Sequence, residues 1–185
     1  PSIPFLLGEF GIPFDLDGGA SFQSGDYAAQ EAALDGFFAA LDRNLISGTL
    51  WNYTPDNRHS SGDGWNGEDL SIYSLDGKRG QGDVYDGGRA LSAVVRPYAM
   101  ATAGTPLQMS FDRHSRDFVF RQRRSSAIAQ PTEIFVPRYQ YPSGISVEIS
   151  AGTWQLDSAR EILLWESPPS EQEESLRITP QQMPK

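Results

Sequence analysis

The sequence contains no cysteine, two histidines and no long apolar run. Without cysteine the chain can form neither a disulfide nor a thiolate metal site, which fits a reducing compartment. The longest apolar stretches, at 90–95 and 162–165, are far shorter than the roughly 20 residues of a membrane-spanning helix. No charged-then-apolar targeting segment opens the chain. We therefore expect a cytoplasmic globular protein whose contacts with membranes are peripheral.

Basic side chains are also scarce, since 15 Lys and Arg face 24 Asp and Glu for a net charge of -9. Nucleic-acid binding rests on many Lys and Arg contacts to phosphates, so nucleic acid is not an expected partner. One cluster of arginines is a local exception to the acidic composition. It could either bind anionic lipid headgroups or form a solvated hairpin, and the hairpin is the favoured interpretation. It consists of Arg113, Arg116, Arg121, Arg123 and Arg124.

The first half of the chain alternates between strand and helix, a pattern typical of a parallel sheet with helical crossovers. Its predicted segments are a strand at 3–7, a helix capped by Asp26, a strand at 46 and 49–53, a polar loop at 54–86 and a helix at 88–96. The Asp-, Gly- and Ser-rich stretch 15–25 is expected to be a loop. The long loop at 54–86 is expected to carry function.

Beyond Thr105 six short alternating runs, separated by Pro, Gly, Ser and Asp, predict an antiparallel β-sandwich over 105–166. Residues 167–185 are rich in Pro, Ser, Gln and Glu, so a disordered tail is expected there. The runs are Leu107–Phe111, Phe118–Gln122, Glu133–Val136, Ile145–Ser150, Thr153–Leu156 and Ile162–Trp165.

Two strand-helix units cannot bury both faces of a parallel sheet. We therefore expect residues 1–104 to be a fragment that is completed by another segment, either a separate chain or an absent N-terminal part of the same polypeptide. The start at Pro1, with no Met, agrees with an absent upstream segment.

Candidate chemistry lies at the ends of the two predicted strands. Glu9 follows the first strand in Gly8–Gly11, where glycines let the backbone turn sharply, and strand ends of α/β barrels carry catalytic groups. Trp51, Asn52 and Tyr53 end the second strand with an indole, an amide and a phenol. Sugars bind to such groups, because their C–H faces lie on aromatic rings and their hydroxyls need planar donors and acceptors. Core packing is an equally open interpretation for Tyr53.

In the long loop, Asp56 and Asn57 are candidates for sugar hydroxyl contacts, with capping of the strand-loop junction as the alternative. Asp63, Asn66, Glu68 and Asp69 lack the alternating ligand spacing of a calcium loop, so no metal is expected. His59 and His114 have no identifiable nucleophile beside them and are expected to be surface residues. The Asn52-Tyr53-Thr54 glycosylation pattern is interpreted as a substrate contact.

Taken together, four segments resemble the C-terminal half of glycoside hydrolase family 5. The closest resemblance is to its endoglycoceramidase-related branch, which includes fungal steryl-β-glucosidases and glucosylceramidases. The matched segments lie between about residues 5 and 106. They are Gly8–Gly11, Thr49–Tyr53 with Pro55–Asn57, Gly64–Ser71, and Arg96–Tyr98 with Ala103–Pro106.

The resemblance implies that the two strands are strands seven and eight of a (β/α)8 TIM barrel, and that the β-sandwich follows it. It implies that Glu9 is the nucleophile of a retaining enzyme, that Trp51 forms the floor of the glucose subsite, and that Asn52, Tyr53, Asp56, Asn57 and Trp65 contact substrate. The acid/base Glu of this family follows an Asn at the end of strand four, and no such pair occurs in these residues. It would lie on the N-terminal segment of the same enzyme.

The expected activity is release of glucose from a glycolipid by double displacement, with no cofactor. A steryl β-glucoside is the favoured substrate and glucosylceramide the next. One alternative is an endoglycoceramidase that releases an oligosaccharide from ceramide. Another is a non-enzymatic β-sandwich that binds glycan or lipid, since fold alone does not fix function.

Overall fold

A computed structural model describes residues 5–181, and they form two units. The first unit comprises the chain up to Leu41 and Ile46–Val94, and the second comprises Asp42–Leu45 and the chain from Val95. In the first unit the elements are β1 (Leu6–Phe10), α1 (Leu16–Ser24), α2 (Ala28–Asn44), β2 (Ser47–Leu50), a short 3-10 turn (Leu75–Gly77) and α3 (Leu91–Val94).

Strands β1 and β2 pair in parallel, as the alternation of strand and helix predicted. Leu6 lies opposite Ser47 and Phe10 opposite Leu50. Gly48 allows β2 to approach α2, because a Cβ at this position would lie 2.9 Å from a Leu41 methyl and 3.1 Å from the Phe10 ring. The crossover helix therefore packs directly on the strand pair.

The predicted cap of the second helix is present, since the Asp26 carboxylate accepts a hydrogen bond of 2.9 Å from Ala28 N. The loop expected at 15–25 is instead mostly the kinked helix α1, whose Asp17, Gly18 and Gly19 have left-handed backbone angles. Helix α3 is much shorter than the predicted helix at 88–96. Ala90 has a φ of 51°, which a right-handed helix cannot contain, so the helix begins only at Leu91.

The first unit has a small apolar core between the strand pair, α2 and α3. Its buried members are Phe14, Leu34, Ala90 and Ala93. Phe10 packs against Phe37 and Phe38, with ring centroids 5.6 and 5.2 Å apart. Phe37 itself remains 41% exposed. The apolar face of α2 is therefore only partly covered by the described residues.

The second unit consists of two antiparallel four-stranded sheets, as the alternating runs predicted. Its strands are β3 (Tyr98–Ala101), β4 (Gly104–Asp112), β5 (Asp117–Arg124), β6 (Thr132–Phe135), β7 (Ile145–Ile149), β8 (Thr153–Asp157), β9 (Ile162–Glu166) and β10 (Glu173–Pro180). The strand orders are β4-β5-β10-β7 and β3-β6-β9-β8. Each of the six predicted runs forms one of these strands.

The disordered tail predicted from residue 167 onward is wrong for most of its described length. Residues Glu173–Pro180 form β10, which lies between β5 and β7 and pairs with both. Glu174, Leu176 and Ile178 alternate toward the interior and are buried. The boundary predicted near Gly104 also moves, because β3 belongs to the strand-rich unit, which begins at Val95.

The core of the second unit lies between its two sheets. The buried apolar side chains are Phe111, Phe118, Phe120, Ile134, Val136, Tyr141, Leu163, Trp165, Leu176 and Ile178. Two of them carry polar atoms that find backbone acceptors, as buried polar groups require. Trp165 Nε1 donates to Ala151 O at 2.9 Å, and the Tyr141 hydroxyl donates to Arg116 O at 3.1 Å.

The arginine run lies along the β4–β5 hairpin, in agreement with the favoured interpretation. Arg121 and Arg123 pair with Glu173 at 3.0 and 3.2 Å. Arg124 is buried, and its guanidinium donates to the carbonyls of Ala103 and Ser125. Arg121, Arg123 and Arg124 therefore all have partners within the chain.

Across residues 5–181, no helix combines the length and the apolar character that crossing a bilayer requires.

Candidate active site

The candidate site lies where β1 and β2 end side by side. Trp51 N donates to Phe10 O at 2.8 Å, which extends the strand pairing by one residue. Gly11 has to be glycine here, because a Cβ on it would collide with Trp51 O. Thr49 Oγ1 donates to Gly8 O and so links β2 to the backbone beside Glu9. The chain segments that carry Glu9 and Trp51 are thus held against each other.

Glu9 is the penultimate residue of β1, because the strand spans Leu6–Phe10 and does not end at Leu7 as predicted. Its side chain is exposed. Since the strands are parallel, the carboxyl end of β1 that carries Glu9 lies at the same edge as the carboxyl end of β2. A carboxylate at this edge occupies the position where barrel enzymes place catalytic groups.

Trp51 and Asn52 directly follow β2 and are both partly buried. The peptide bond between them is cis. Asn52 N donates to Leu70 O at 3.2 Å, and Ile72 N donates to Asn52 O at 2.9 Å. The long loop therefore returns alongside the end of β2 and does not project freely into solvent.

The Asn52 side chain is held by two neighbours. Its Nδ2 donates to the Asp63 carboxylate at 3.0 Å, and its Oδ1 accepts from the Thr54 hydroxyl at 3.2 Å. The amide orientation is thus fixed without a ligand. The same carboxylate of Asp63 also accepts from Trp65 N at 3.0 Å and from Leu70 N at 3.2 Å.

Three other predicted substrate residues are exposed, namely Tyr53, Asp56 and Trp65. Tyr53 is 63% and Trp65 59% exposed, large values for aromatic side chains. The Tyr53 ring lies 5.5 Å from the ring of Tyr73. Within the described residues the Tyr53 ring therefore contacts Tyr73 and is not buried in a core.

Asn57 is placed differently from the other candidates. It is 1% exposed, its Nδ2 donates to Asp69 at 2.8 Å, and its Oδ1 accepts from Arg89 at 3.2 Å. Its amide is thus occupied inside the protein and has no free group to offer a sugar. The structure favours the alternative role, in which Asn57 stabilises the loop.

Arg89 is the centre of this buried network, and the sequence analysis overlooked it. Its guanidinium donates to Asp69 at 2.6 and 2.9 Å and to Ser71 O at 2.6 Å. It also lies 4.5 Å from the centroid of the Phe14 ring, within cation–π range. The sequence feature that could have indicated a buried arginine is its position directly after Gly87 and Gly88 and before an apolar segment. This network fixes the long loop against the core.

A polar cleft of about 450 Å³ opens beside this network. On one side His59 stacks on Phe22, with centroids 4.0 Å apart and rings almost parallel. Tyr27 also lines the cleft. Burial raises the pKa of its hydroxyl, and the positive charge of Arg89 offsets part of that rise. The backbone N–H of His59 lowers the pKa of Asp76, which keeps this carboxylate ionised.

Within residues 5–181 no group of three His, Cys, Asp or Glu side chains is placed to hold a metal ion. Two of the residues weighed as calcium ligands, Asp63 and Asp69, accept hydrogen bonds within the chain instead. Asp69 binds Arg89 and Asn57, and Asp63 binds Asn52 and two backbone N–H groups.

Comparison with known proteins assigns the second unit. Residues 96–179 match the glycoside hydrolase family 5 C-terminal domain. The resemblance drawn from the motifs is confirmed. The family domain begins at the Arg96–Tyr98 motif and covers all the strands of the second unit, almost to the end of β10.

Similar proteins extend the match to the first unit. A glucosylceramidase of Rhizopus delemar is 40% identical over 80% of this chain, which covers 24% of that protein. An ergosteryl-beta-glucosidase of Saccharomyces cerevisiae is 27% identical over 92% of the chain, which covers 30% of that protein. The chain therefore spans about a quarter to a third of the length of these relatives.

Solved structures agree with the sequence relatives. Cryptococcus neoformans sterylglucosidase 1 superposes with a TM-score of 0.86 at 30% identity, over 95% of this chain and 29% of that chain. The endo-glycoceramidase II of Rhodococcus sp. superposes with a TM-score of 0.67 at 21% identity, over 98% of this chain and 34% of that chain, which shows a shared fold.

Proposed function

We propose that this chain is the C-terminal part of a retaining β-glucosidase that removes glucose from glycolipids, and that Glu9 is its nucleophile. The observation that carries the proposal is the placement of Glu9. It is an exposed carboxylate at the carboxyl end of β1, beside the Trp51–Asn52 segment at the end of the parallel strand β2. Relatives named for glycolipid hydrolysis that match most of the chain support it.

The proposal treats β1 and β2 as strands seven and eight of a (β/α)8 barrel. A two-stranded parallel sheet leaves both outer edges without a partner strand, and parallel sheets are normally buried. Phe5 and Leu6 are 62% and 58% exposed, and Phe37 of α2 is 41% exposed. Burial of these side chains by an N-terminal segment of the same enzyme, contributing strands one to six, would complete the fold.

The proposed reaction is a double displacement. A carboxylate oxygen of Glu9 attacks the anomeric carbon of glucose and forms a glycosyl ester, while the bond to the leaving oxygen breaks. A carboxylic acid on the N-terminal segment, about 5–5.5 Å from Glu9, protonates that oxygen and then activates the water that hydrolyses the ester. The charge on Glu9 is what the attack requires.

The Trp51–Asn52 segment would bind the glucose that is transferred. The Trp51 indole offers a flat apolar face to the sugar C–H groups, and Asn52 offers an amide whose orientation Asp63 and Thr54 fix. Because this amide is already held in place, little binding free energy would be spent on ordering its side chain.

The exposed aromatic side chains favour an apolar aglycone. Tyr53 and Trp65 present rings that a sterol or ceramide would cover, whereas a small polar leaving group would not. We rank a steryl β-glucoside first and glucosylceramide second, with access to the lipid from a membrane surface in the cytoplasm. The ranking follows the ergosteryl-glucosidase and sterylglucosidase relatives, which match nearly the whole chain.

The second candidate is endoglycoceramidase activity, in which a whole oligosaccharide leaves ceramide. A segment 44% identical to endoglycoceramidase I of Rhodococcus hoagii, covering 32% of this chain, favours it. The two activities differ in their sugar product. Chromatography of the sugar released from glucosylceramide and from a longer glycosylceramide separates them, since the second activity yields an oligosaccharide.

Covalent trapping tests the nucleophile. The full-length protein that contains these residues is incubated with a 2-deoxy-2-fluoro-β-glucoside that has a good leaving group, and peptides are analysed by mass spectrometry. We expect one glycosyl group on the peptide with Glu9. Labelling of another carboxylate, or turnover without any trapped intermediate, would contradict the proposal.

A further inference from the structure

Asp63 links two parts of the candidate site that are far apart in sequence. It is 9% exposed, and one carboxylate oxygen accepts from the Asn52 amide at 3.0 Å and from Leu70 N at 3.2 Å. The other oxygen accepts from Trp65 N at 3.0 Å. All three donors are neutral, so the carboxylate acts as a hub of hydrogen bonds.

The segment 63–70, here called the Trp65 turn, is built around this carboxylate. Asp63 N donates to Glu68 O at 3.2 Å, and Glu68 N donates to Trp65 O at 3.0 Å. Gly62 has a φ of 62°, and a Cβ on it would collide with Glu68 O. The turn therefore closes on itself tightly, with Asp63 inside it.

The Trp65 turn displays its aromatic side chain outward. The Trp65 indole is 59% exposed although its own backbone N–H is held by Asp63. An exposed indole on a hydrogen-bonded turn is an apolar surface whose backbone is already fixed, so that an apolar ligand has only the side chain to order.

We propose that Asp63 is a positioning residue that fixes the Trp65 turn relative to Asn52, so that Trp65 contacts the aglycone of a substrate whose sugar binds at Asn52. The inference rests on the proposed glycosidase function, because it assigns Asn52 to the sugar and Trp65 to the lipid. In this proposal Asp63 itself contacts neither the sugar nor the lipid. Its three acceptor bonds set the distance between the two groups that do.

The charge and shape of Asp63 are both needed. An asparagine has the same size, but its NH2 group would point a donor at a position where a donor already lies. A buried donor without an acceptor is costly, so the turn would shift to relieve it. Asp63→Asn therefore perturbs position with almost no change in volume.

The first measurement is amide hydrogen exchange of the full-length protein, which needs no activity. We expect Asp63→Asn to speed exchange at Trp65 N and Leu70 N at least tenfold. The matched control is Asp83→Asn, since exposed Asp83 accepts from Tyr85 N at 2.9 Å in the same local geometry that Asp63 has with Trp65. The control should leave exchange in the Trp65 turn unchanged. Unchanged exchange in Asp63→Asn would overturn the positional claim.

The second measurement is steady-state kinetics with a steryl β-glucoside and with a small aryl β-glucoside. We expect Asp63→Asn to raise the KM for the steryl glucoside about tenfold or more, with a clearly smaller change for the aryl substrate. In a Trp65→Ala background, Asp63→Asn should cost the steryl glucoside no more than the aryl glucoside, because the remaining effect passes through Asn52, which contacts the sugar of both.

The outcomes are distinguishable. Equal losses for both substrates, or full additivity with Trp65→Ala, would show that Asp63 does not act through Trp65. A wild-type protein that hydrolyses neither substrate would remove the proposed function, while the exchange result would still decide whether Asp63 orders the turn.

Discussion

The two units of this chain are ordered by different means. The second unit has two four-stranded sheets with aromatic and aliphatic side chains between them. The first has one pair of strands, a small apolar core and a long loop fixed by the buried group of Arg89, Asp69 and Asn57. The sandwich satisfies most of its backbone by strand pairing and buries polar side chains such as Gln122 and Glu174 as cross-strand partners. The loop-rich unit has to satisfy its backbone and side-chain polar groups one by one. Every candidate site residue lies in the loop-rich first unit.

The largest expected effect separates activity from folding within the first unit. Glu9→Gln in the full-length protein should reduce turnover by about 10³-fold or more, since the amide cannot act as the nucleophile. Because Glu9 is exposed, the thermal unfolding temperature should change little. Initial rates with a steryl β-glucoside measure the loss of turnover, and a thermal scan measures the unfolding temperature. A variant that retains a tenth of the activity would contradict the assignment.

Removal of Arg89 tests whether the polar network holds the first unit. Arg89→Met leaves Asp69 as an unpaired buried carboxylate, so we expect a loss of about 3–5 kcal/mol of stability. Segment-resolved hydrogen exchange should show faster exchange at 54–89 and little change in β4–β10. Arg58→Met is the matched control, because its ion pair with Asp76 lies at the surface with Arg58 55% exposed. Equal effects of the two variants would contradict the contrast between the units.

Truncation in β10 tests the apolar core of the second unit. Leu176 is fully buried, so Leu176→Ala should cost about 2–5 kcal/mol. The neighbouring Arg177→Ala removes an exposed contact to Asp117 and should cost less. Exchange in β5 and β7, which pair with β10, reports the loss. If both variants behaved like the wild type, residues 173–180 would not form the central strand.

The smallest effect appears only at alkaline pH. Burial raises the pKa of the Tyr141 hydroxyl above its ordinary value of 10.0. The folded protein therefore keeps this proton more tightly than the unfolded chain, so the stabilisation is complete below about pH 10 and declines as the pH rises further. Tyr141→Phe should flatten the fall in unfolding temperature between pH 9 and 11 without an effect on the profile near pH 7. An unchanged alkaline slope would contradict this role.

The elements that could be predicted were those whose local chemistry and pattern agree. Asp26 capped its helix as expected, and the runs around Phe118–Phe120 and Ile162–Trp165 became strands. β10 was missed because one of its inward positions is Glu174, a charged residue. Its carboxylate is satisfied by Gln122 at 2.7 Å and Ser167 at 2.8 Å, partners that only the folded sheet brings together.

Prediction of the site was limited for the same reason, because partners that are distant in sequence meet only in the folded chain. Glu9, Trp51 and Trp65 were proposed from motif and strand end, and the structure leaves Glu9 and Trp65 exposed. Asn57 was assigned to the sugar because an amide beside a strand end can serve either purpose. Its true partners, Asp69 and Arg89, lie 12 and 32 residues away. Sequence pattern reports what a side chain can do, whereas burial decides which of its partners it finds.

The position of β10 sets the order in which the second unit can assemble on the ribosome. β4, β5 and β7 are synthesised first, but β5 and β7 are joined in the sheet only through β10. Until residue 180 has left the exit tunnel, the facing edges of β5 and β7 carry unpaired N–H and C=O groups, which are templates for wrong pairing with other chains. Synthesis of this unit therefore includes an interval in which these two strand edges are open to wrong pairing.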